Sequence, residues 1–260
     1  MSDTIHVSDD VTYVVEDSVA TLTIDRAEAR NALNKSVRDG LWAGFRRFAE
    51  DESAAVLILT AAGEKAFCAG GDLKEMSGAA MQIPPPDFLP YLQRSVTTDK
   101  PVIAAVNGVA FAGGFLLAQM CDLVIAADHA KFAITEVKVG RGSPWAAPLP
   151  WLISPRIAME IMVTGDPITA QRAYEIGLVN KVVPLADLQE TALEMARGIA
   201  NNAPLSVRAA KSLVYLSAEH GWRAALEEAD RLYEPVYLSE DAQEGPRSFA
   251  EKRPPQWQGR

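Results

Sequence analysis

Alternating apolar and polar positions predict the first elements of the chain. Val11–Glu16 and Val19–Ile24 alternate with a period of two, which is typical of paired strands. Residues 33–50 instead repeat apolar side chains at near-helical spacing, which predicts an amphipathic helix. These three segments together predict a strand–strand–helix unit.

Short continuous apolar runs predict buried strands farther along the chain. They cover residues 55–61, 102–106 and 122–127, and an apolar helix is expected at about residues 113–120. Strands that alternate with helices indicate an α/β core. No internal repeat is clear enough to define the topology of that core.

Helical patterns dominate after residue 155. The segment 178–184 closes the α/β pattern, so we predict an α/β core over residues 1–184 and a helical region over residues 185–260. Residues 81–87 contain three consecutive prolines, which resist helix and sheet and predict a surface loop that could also line a pocket. The predicted helices cover residues 156–164, 169–175, 185–201, 204–217 and 222–237.

Composition narrows the classes of function. The chain has 260 residues, 48% of them hydrophobic, which allows one domain with a sizeable core. We expect no membrane partner and a cytoplasmic location, because no apolar segment is long enough to cross a bilayer and no secretion signal is evident. A net charge of -9 opposes nucleic-acid binding and requires local basic groups for an anionic ligand. Two cysteines and three isolated histidines predict neither a disulfide framework nor a metal centre.

Two glycine turns carry the first candidate chemistry. Residues 66–72 and 107–114 each follow an apolar strand-like run, and each contains a Gly-Gly pair. Two such turns can aim two backbone N–H groups at one oxygen, as the enolate of a thioester requires. We predict Gly71 as the first donor and Gly113, at the start of a helix, as the second. Glycines that only permit tight turns are the alternative interpretation.

A carboxylate inside an apolar stretch is the third candidate. Glu136 lies within residues 131–140, which are mostly apolar around it. Burial would raise its pKa towards the working pH and allow it to accept and return a proton. A glutamate that faces solvent or forms an ion pair is the alternative.

These motifs, in this order, resemble the enoyl-CoA hydratase/isomerase family, also called crotonases, over nearly the whole chain. The resemblance implies a spiral of strand–strand–helix repeats with a helical C-terminal region used in assembly. It also implies a homotrimer that often pairs into a hexamer. The matching segments are residues 26–34, 67–76, 107–122, 132–140, 164–179 and 249–255.

The resemblance also assigns a site for an acyl-CoA substrate. It implies that the N–H groups of Gly71 and Gly113 hold the thioester oxygen, and that residues 140–145, including Trp145, influence the selectivity of the acyl pocket. Because CoA belongs to the substrate, no separate cofactor is expected. The residues implied to contact CoA are Ala29, Asp72, Leu73 and Lys74, with Phe249 and Lys252 completing the nucleotide pocket.

One position departs from the pattern of the two-glutamate hydratases. Leu116 stands where those members carry their first catalytic glutamate, whereas Glu136 matches the second. One carboxylate can move a proton from C2 to C4 of an enoyl thioester, but efficient hydration usually needs two. Isomerisation is therefore the first hypothesis. Hydration of a trans-2-enoyl-CoA, with Asp72 or the loop around Asp87 holding water, is the second, and a non-catalytic acyl-CoA binding protein is the third.

Overall fold

The computed structural model describes residues 4–79 and 82–260. Most strands are short, and several directly precede a glycine turn. The strands are β1 (Ile5–Ser8), β2 (Val11–Glu16), β3 (Val19–Ile24), β4 (Val56–Ala61), β5 (Ala66–Cys68), β6 (Val102–Val106), β7 (Val109–Phe111), β8 (Leu123–Ala127), β9 (Lys131–Ala133), β10 (Ile168–Thr169) and β11 (Lys181–Val183).

The helices of the described residues range in length from four to 35 residues. They are α1 (Lys35–Glu50), α2 (Leu73–Ala79), α3 (Gly113–Gln119), α4 (Leu149–Leu152), α5 (Pro155–Thr164), α6 (Ala170–Glu175), α7 (Leu188–Ala200), α8 (Pro204–Leu238) and α9 (Asp241–Glu251).

Two sheets organise the described strands. The larger has the order β1-β2-β3-β4-β6-β8-β11, and its strands from β3 onward run parallel. The smaller has the order β10-β9-β7-β5, in which β5, β7 and β9 run parallel. The chain passes from the larger sheet to the smaller sheet and then into a helix in β4-β5-α2, and again in β6-β7-α3. This arrangement confirms the predicted α/β fold of strand–strand–helix repeats.

The core lies around the central strands of the larger sheet. Every residue of β4 and β6 is buried, which explains why both strands are continuous apolar runs rather than alternating ones. Helix α1 packs on β1, β2 and β3, while α7 packs on β3, β4, β6 and β8. The small sheet, which carries the glycine turns, is joined to this core through β4 and β5.

The predicted helix over residues 33–50 begins two residues late. Asn34 is its N-cap, and the Asn34 side chain accepts a hydrogen bond of 2.8 Å from the Val37 N–H. Leu33, predicted as helical, is buried and pairs in a parallel bridge with Gly71. The apolar spacing misassigned Leu33 because burial of a side chain does not reveal which element buries it.

The helical region follows the last strand. Helix α8 contains both helices predicted for its span, separated at Gly221, whose φ of 70° and ψ of 158° are not helical. Helix α7, which follows residue 184, packs on the larger sheet. The division of the chain at residue 184 stays a prediction. Over residues 4–79 and 82–260, no helix is long and apolar enough to span a bilayer. The same ranges contain no group of three or more His, Cys, Asp or Glu side chains that could hold a metal ion.

Candidate active site

The three predicted chemical groups follow the carboxyl ends of three neighbouring parallel strands. Gly71 comes shortly after β5, Gly113 after β7 and Glu136 after β9. These strands are adjacent in the small sheet, so their carboxyl ends meet at one edge. Ligands of α/β proteins commonly bind at such an edge. The fold therefore brings together groups separated by more than sixty residues in sequence.

The first turn directs the Gly71 N–H away from its neighbouring segment. Leu33 N–H donates to the Gly70 carbonyl at 2.8 Å, and the Asp72 N–H donates to the Leu33 carbonyl at 3.5 Å. Successive groups of an extended segment point to opposite sides. The Gly71 N–H consequently points away from Leu33, as an oxyanion donor on the open side of the turn would require.

The second turn holds a strained residue directly before Gly113. Ala112, the N-cap of α3, has φ 52° and ψ −117°, a conformation that is unfavourable for any residue with a Cβ. Its N–H is held by the Ala133 carbonyl at 2.9 Å. Gly113 is the first residue of α3, where N–H groups lack acceptors within the helix. The backbone angles of Ala112 set the direction in which the N–H of the next residue, Gly113, points.

The two turns touch each other. A Cβ atom on Gly70 would lie 2.9 Å from the Ala112 Cβ and 3.7 Å from the Gly113 amide nitrogen. A Cβ atom on Gly114 would lie 2.0 Å from the Cys68 carbonyl oxygen. Only glycine permits this approach of backbone to backbone. The glycines thus do more than allow tight turns, because they let the two turns pack side by side.

Glu136 lies in a short 3-10 segment, Thr135–Val139, that follows β9. Its side chain is half-buried, and burial raises the pKa of its carboxyl group above the ordinary value. Its Oε1 accepts a hydrogen bond of 3.2 Å from the indole Nε1 of Trp145, which partly opposes that rise. Among the described residues, its buried Oε2 has no hydrogen-bond partner. The predicted direction of the pKa shift is confirmed.

Trp145 is tied to α3 in two ways. Its carbonyl oxygen accepts hydrogen bonds from Gln119 Nε2 and from the Tyr91 hydroxyl, both at 3.1 Å. Its ring packs on Phe115, with 6.0 Å between centroids. The resemblance implied a role for Trp145 in the acyl pocket, whereas its contact with Glu136 was not predicted. Gln119, a polar residue inside an otherwise apolar helix, was the available signal.

Leu116 is buried in α3 with 4% of its surface exposed. Its neighbours in the helix, Phe115 and Leu117, are also buried and apolar. The position at which the resemblance implies the first glutamate of the two-glutamate hydratases is thus part of the hydrophobic core in this chain.

The carboxylate of Asp72 accepts hydrogen bonds from neighbouring residues. Its Oδ2 accepts a 2.7 Å hydrogen bond from the Arg26 guanidinium, and its Oδ1 accepts from the Lys74 and Glu75 N–H groups at the start of α2. The contact with Arg26 is the largest cause of the lowered pKa of Asp72. A carboxylate kept ionised in this way is a weak base, which disfavours Asp72 as the residue that activates water.

The residues implied to contact CoA divide into two groups. Ala29 is the last residue of a 3-10 segment, Ala27–Ala29. The carbonyl of the next residue, Arg30, accepts a hydrogen bond from the Ala69 N–H, so Ala29 lies beside the first turn. Leu73 and Lys74 open α2 beside the same turn. Phe249 and Lys252 lie instead on and just after α9, which packs on α8. Phe249 is 86% exposed, so one chain does not seat its ring against the turns.

The loop near the start of the second described range contacts α1 through two side chains. Trp42 Nε1 donates to the Asp87 carbonyl at 2.9 Å, and the Arg38 guanidinium lies 4.4 Å from the centre of the Phe88 ring. Leu89 reaches the second turn, because a Cβ on Gly113 would lie 3.7 Å from its Cδ1. Residues 82–87 are exposed, as predicted for a surface loop, while Met81 lies outside the described residues.

Known proteins resemble the chain over nearly all of its length. The carnitinyl-CoA dehydratase of Proteus mirabilis (strain HI4320) is 41% identical over 253 residues, which cover 94% of this chain and 96% of the relative. The crystal structure of an enoyl-CoA hydratase from Mycobacterium tuberculosis H37Rv superposes with a TM-score of 0.87 at 36% identity, covering 96% of this chain and 99% of that one. A probable enoyl-CoA hydratase/isomerase from Mycobacterium abscessus gives a TM-score of 0.85 at 39% identity, covering 97% and 100%.

A family model agrees with these relatives. The model described as enoyl-CoA hydratase/isomerase matches residues 15–260, which include both glycine turns, Glu136 and α9. Together with the spiral of strand–strand–helix repeats, this match shows that the chain belongs to the enoyl-CoA hydratase/isomerase, or crotonase, family of acyl-CoA enzymes.

Proposed function

We propose that the protein moves the double bond of an enoyl-CoA thioester between the 3,4 and 2,3 positions, with Glu136 as its one acid/base. The N–H groups of Gly71 and Gly113 hold the thioester oxygen. The observation that carries this proposal is the pairing of a half-buried Glu136, whose pKa is raised, with an apolar Leu116 in the buried core. A site with one such carboxylate suits a reaction that needs one proton carrier.

Each step balances without a second reagent. The Glu136 carboxylate takes a proton from C2 of a 3-enoyl thioester, and the electron pair moves through C1 onto the thioester oxygen. The two backbone N–H groups stabilise the dienolate that results. The protonated carboxyl then returns the proton to C4, which leaves the double bond between C2 and C3. No metal and no cofactor besides the substrate's own CoA takes part in this scheme.

Product analysis in heavy water tests the proposal. Matched 2-enoyl-CoA and 3-enoyl-CoA substrates are offered to the native protein and to Glu136→Gln, which keeps the shape of the side chain but cannot carry the proton. We expect migration of the double bond, with deuterium at C2 or C4, and at least about a 100-fold loss in the variant. CoA binding without exchange or turnover would instead favour a binding protein.

Addition or removal of water is the second candidate function. The names of the relatives favour it, since they are a carnitinyl-CoA dehydratase and enoyl-CoA hydratases. In this case Glu136 acts alone or with water held by another group. The two groups expected to hold that water already have contacts of their own. The Asp87 carbonyl accepts a hydrogen bond from Trp42, and the Asp72 carboxylate accepts one from Arg26.

Restoring the missing carboxylate separates the two candidates. If the protein is a hydratase of reduced efficiency, Leu116→Glu should raise the formation of 3-hydroxyacyl-CoA, whereas Leu116→Gln, of similar size, should not. Unchanged hydration in both variants, with continued migration of the double bond, contradicts the hydratase hypothesis.

We also propose that the protein works as a homotrimer or a dimer of trimers. The support is a set of large apolar side chains exposed on the C-terminal helices, including Trp222, Leu238 and Phe249. Contact between copies would cover them, and would bring Phe249 and Lys252 to the CoA of a neighbouring copy. Light scattering of the full chain gives the number of copies, and a monomer at micromolar concentration would contradict this proposal.

A further inference from the structure

Glu136 offers its two carboxylate oxygens to different surroundings. Oε1 accepts the indole N–H of Trp145 at 3.2 Å, whereas the buried Oε2 has no hydrogen-bond partner among the described residues. A buried acceptor without a partner is costly, so such an atom points to a role that needs it free. The Trp145 contact thus makes the two oxygens unequal.

Trp145 is held from α3, the helix that begins with Gly113. Gln119 donates to its carbonyl and Phe115 packs on its ring, so two residues one turn apart in α3 fix the backbone and the side chain of one tryptophan. The Tyr91 hydroxyl adds a second hydrogen bond to the same carbonyl. Helix α3 therefore controls the orientation of the acid/base as well as one of the oxyanion donors.

Resting on the proposed function, we propose that Trp145 is a positioning residue, which occupies Oε1 of Glu136 through its indole N–H and leaves Oε2 as the atom that transfers the proton. Gln119 acts through Trp145 by holding its carbonyl. This contact also leaves Glu136 one free oxygen, which suits a proton moved between two carbons better than water held by both oxygens.

The charged groups around Glu136 are largely engaged with one another. On its own segment, Lys138 pairs with Asp166 at 2.6 Å across to the end of α5. Arg141 follows, and its backbone N–H donates to the Glu136 carbonyl at 2.9 Å. Asp72, after β5, pairs with Arg26. The pKa of Glu136 responds to burial first, then to backbone and Trp145 hydrogen bonds.

Trp145→Phe tests the contact, because it keeps an aromatic ring beside Phe115 and removes the indole N–H together with part of the ring volume. The hydrogen bond from Trp145 lowers the pKa of Glu136, so losing it should raise that pKa further. We would follow it by 13C NMR of glutamate carboxyl groups in the full chain, with the signal assigned by its loss in Glu136→Gln. Trp151→Phe, at a partly exposed tryptophan, is the matched control and should not shift it.

The same shift should appear in catalysis. Proton removal needs the ionised carboxylate, so the rate of α-proton exchange rises with pH through the pKa of Glu136. In Trp145→Phe this rise should move to higher pH, whereas a purely structural loss would lower the rate at every pH. Thermal melting of each variant reports whether it folds.

Gln119→Met gives a second route if Trp145→Phe does not fold. It should shift the pKa in the same direction by less, and the double variant should match Trp145→Phe, because Gln119 acts through Trp145. Additive shifts, or an unchanged Glu136 pKa in Trp145→Phe, would overturn the positioning role while leaving the proposed function standing. Absence of exchange in the native protein would overturn the proposed function and the role of Oε2, yet the NMR titration would still decide whether Trp145 controls Glu136.

Discussion

Ala112 carries a backbone conformation that costs a residue with a Cβ about 1–3 kcal/mol. Its φ of 52° and ψ of −117° lie directly before Gly113, and a Cβ on Gly70 would contact its side chain. Strain of this kind persists when surrounding contacts over-determine it. At this position the strained backbone conformation of Ala112 orients the Gly113 N–H at the edge where the three strands end.

Replacing Ala112 by glycine should separate stability from activity. Ala112→Gly should raise the free energy of unfolding by about 1 kcal/mol, since glycine adopts a positive φ without strain. The rate of α-proton exchange should fall, because the direction of the Gly113 N–H is then held less firmly. Urea unfolding and exchange in heavy water measure the two effects.

Ser18→Gly is the matched control for this prediction. Ser18 has a φ of 64° in the exposed turn between β2 and β3, remote from the glycine turns in sequence and in the sheets. It should gain stability without changing exchange. Equal losses of exchange in both variants would contradict a role for the strain at Ala112.

At the scale of elements, polar side-chain contacts hold the start of α2 against the neighbouring segments. Asp72 caps its first turn and binds Arg26, and Glu75 pairs with Arg38 at 2.7 Å while accepting the Lys35 N–H of α1. These contacts join the N-termini of α1 and α2. The segment that carries Gly71 is therefore held from both sides.

Removing the cap should loosen this segment. Asp72→Ala should lower the free energy of unfolding by about 1–2 kcal/mol at neutral pH, through loss of the cap and of the ion pair. Because the folded-state pKa of Asp72 is lowered, its contribution is present above the ordinary carboxyl value and is lost as pH falls through the folded value. The difference between variant and native protein should therefore shrink in acid, as urea unfolding at several pH values would measure. A constant difference down to about pH 2 would contradict this account.

At the scale of the whole molecule, a largely buried ion pair joins the helical region to the sheet. Lys211 of α8 lies 2.8 Å from Asp122, which precedes β8, and donates at 2.8 Å to the Lys100 carbonyl. Tyr215, one turn later in α8, donates to the other oxygen of Asp122 at 2.8 Å. This network fixes the position of α8 on the strand ends. The C-terminal residues implied to bind CoA follow α8, so the network also influences where they lie.

Breaking the pair should be costly. Lys211→Met leaves the largely buried Asp122 charge without its cationic partner and should lower the free energy of unfolding by about 3 kcal/mol. Arg208→Met is the control, because Arg208 lies 3.8 Å from Asp99 in an exposed pair and should cost less than about 1 kcal/mol. Denaturant unfolding compares them, and similar losses in the two variants would contradict a structural role for the Lys211 network.

The sequence by itself determined the elements and the family. The period of apolar residues located the long strands, most helices and an interruption between residues 217 and 222, where the structure has the non-helical Gly221, because burial on one face imposes that period. It also singled out both glycine turns and Glu136, since residues of unusual type stand out against an apolar background. The catalytic and CoA-binding roles assigned to these residues stay predictions.

Only the tertiary structure decided which distant segments meet. The strand order β9-β7-β5 places Gly71, Gly113 and Glu136 at one edge, and no local pattern encodes a pairing between strands far apart in the chain. Three further features depend on spatial neighbours that cannot be identified from the sequence. They are the helix start after Leu33, the strain at Ala112 and the indole contact on Glu136. Hydrophobic periodicity reports how much each residue is buried, whereas position in the fold determines what each residue touches.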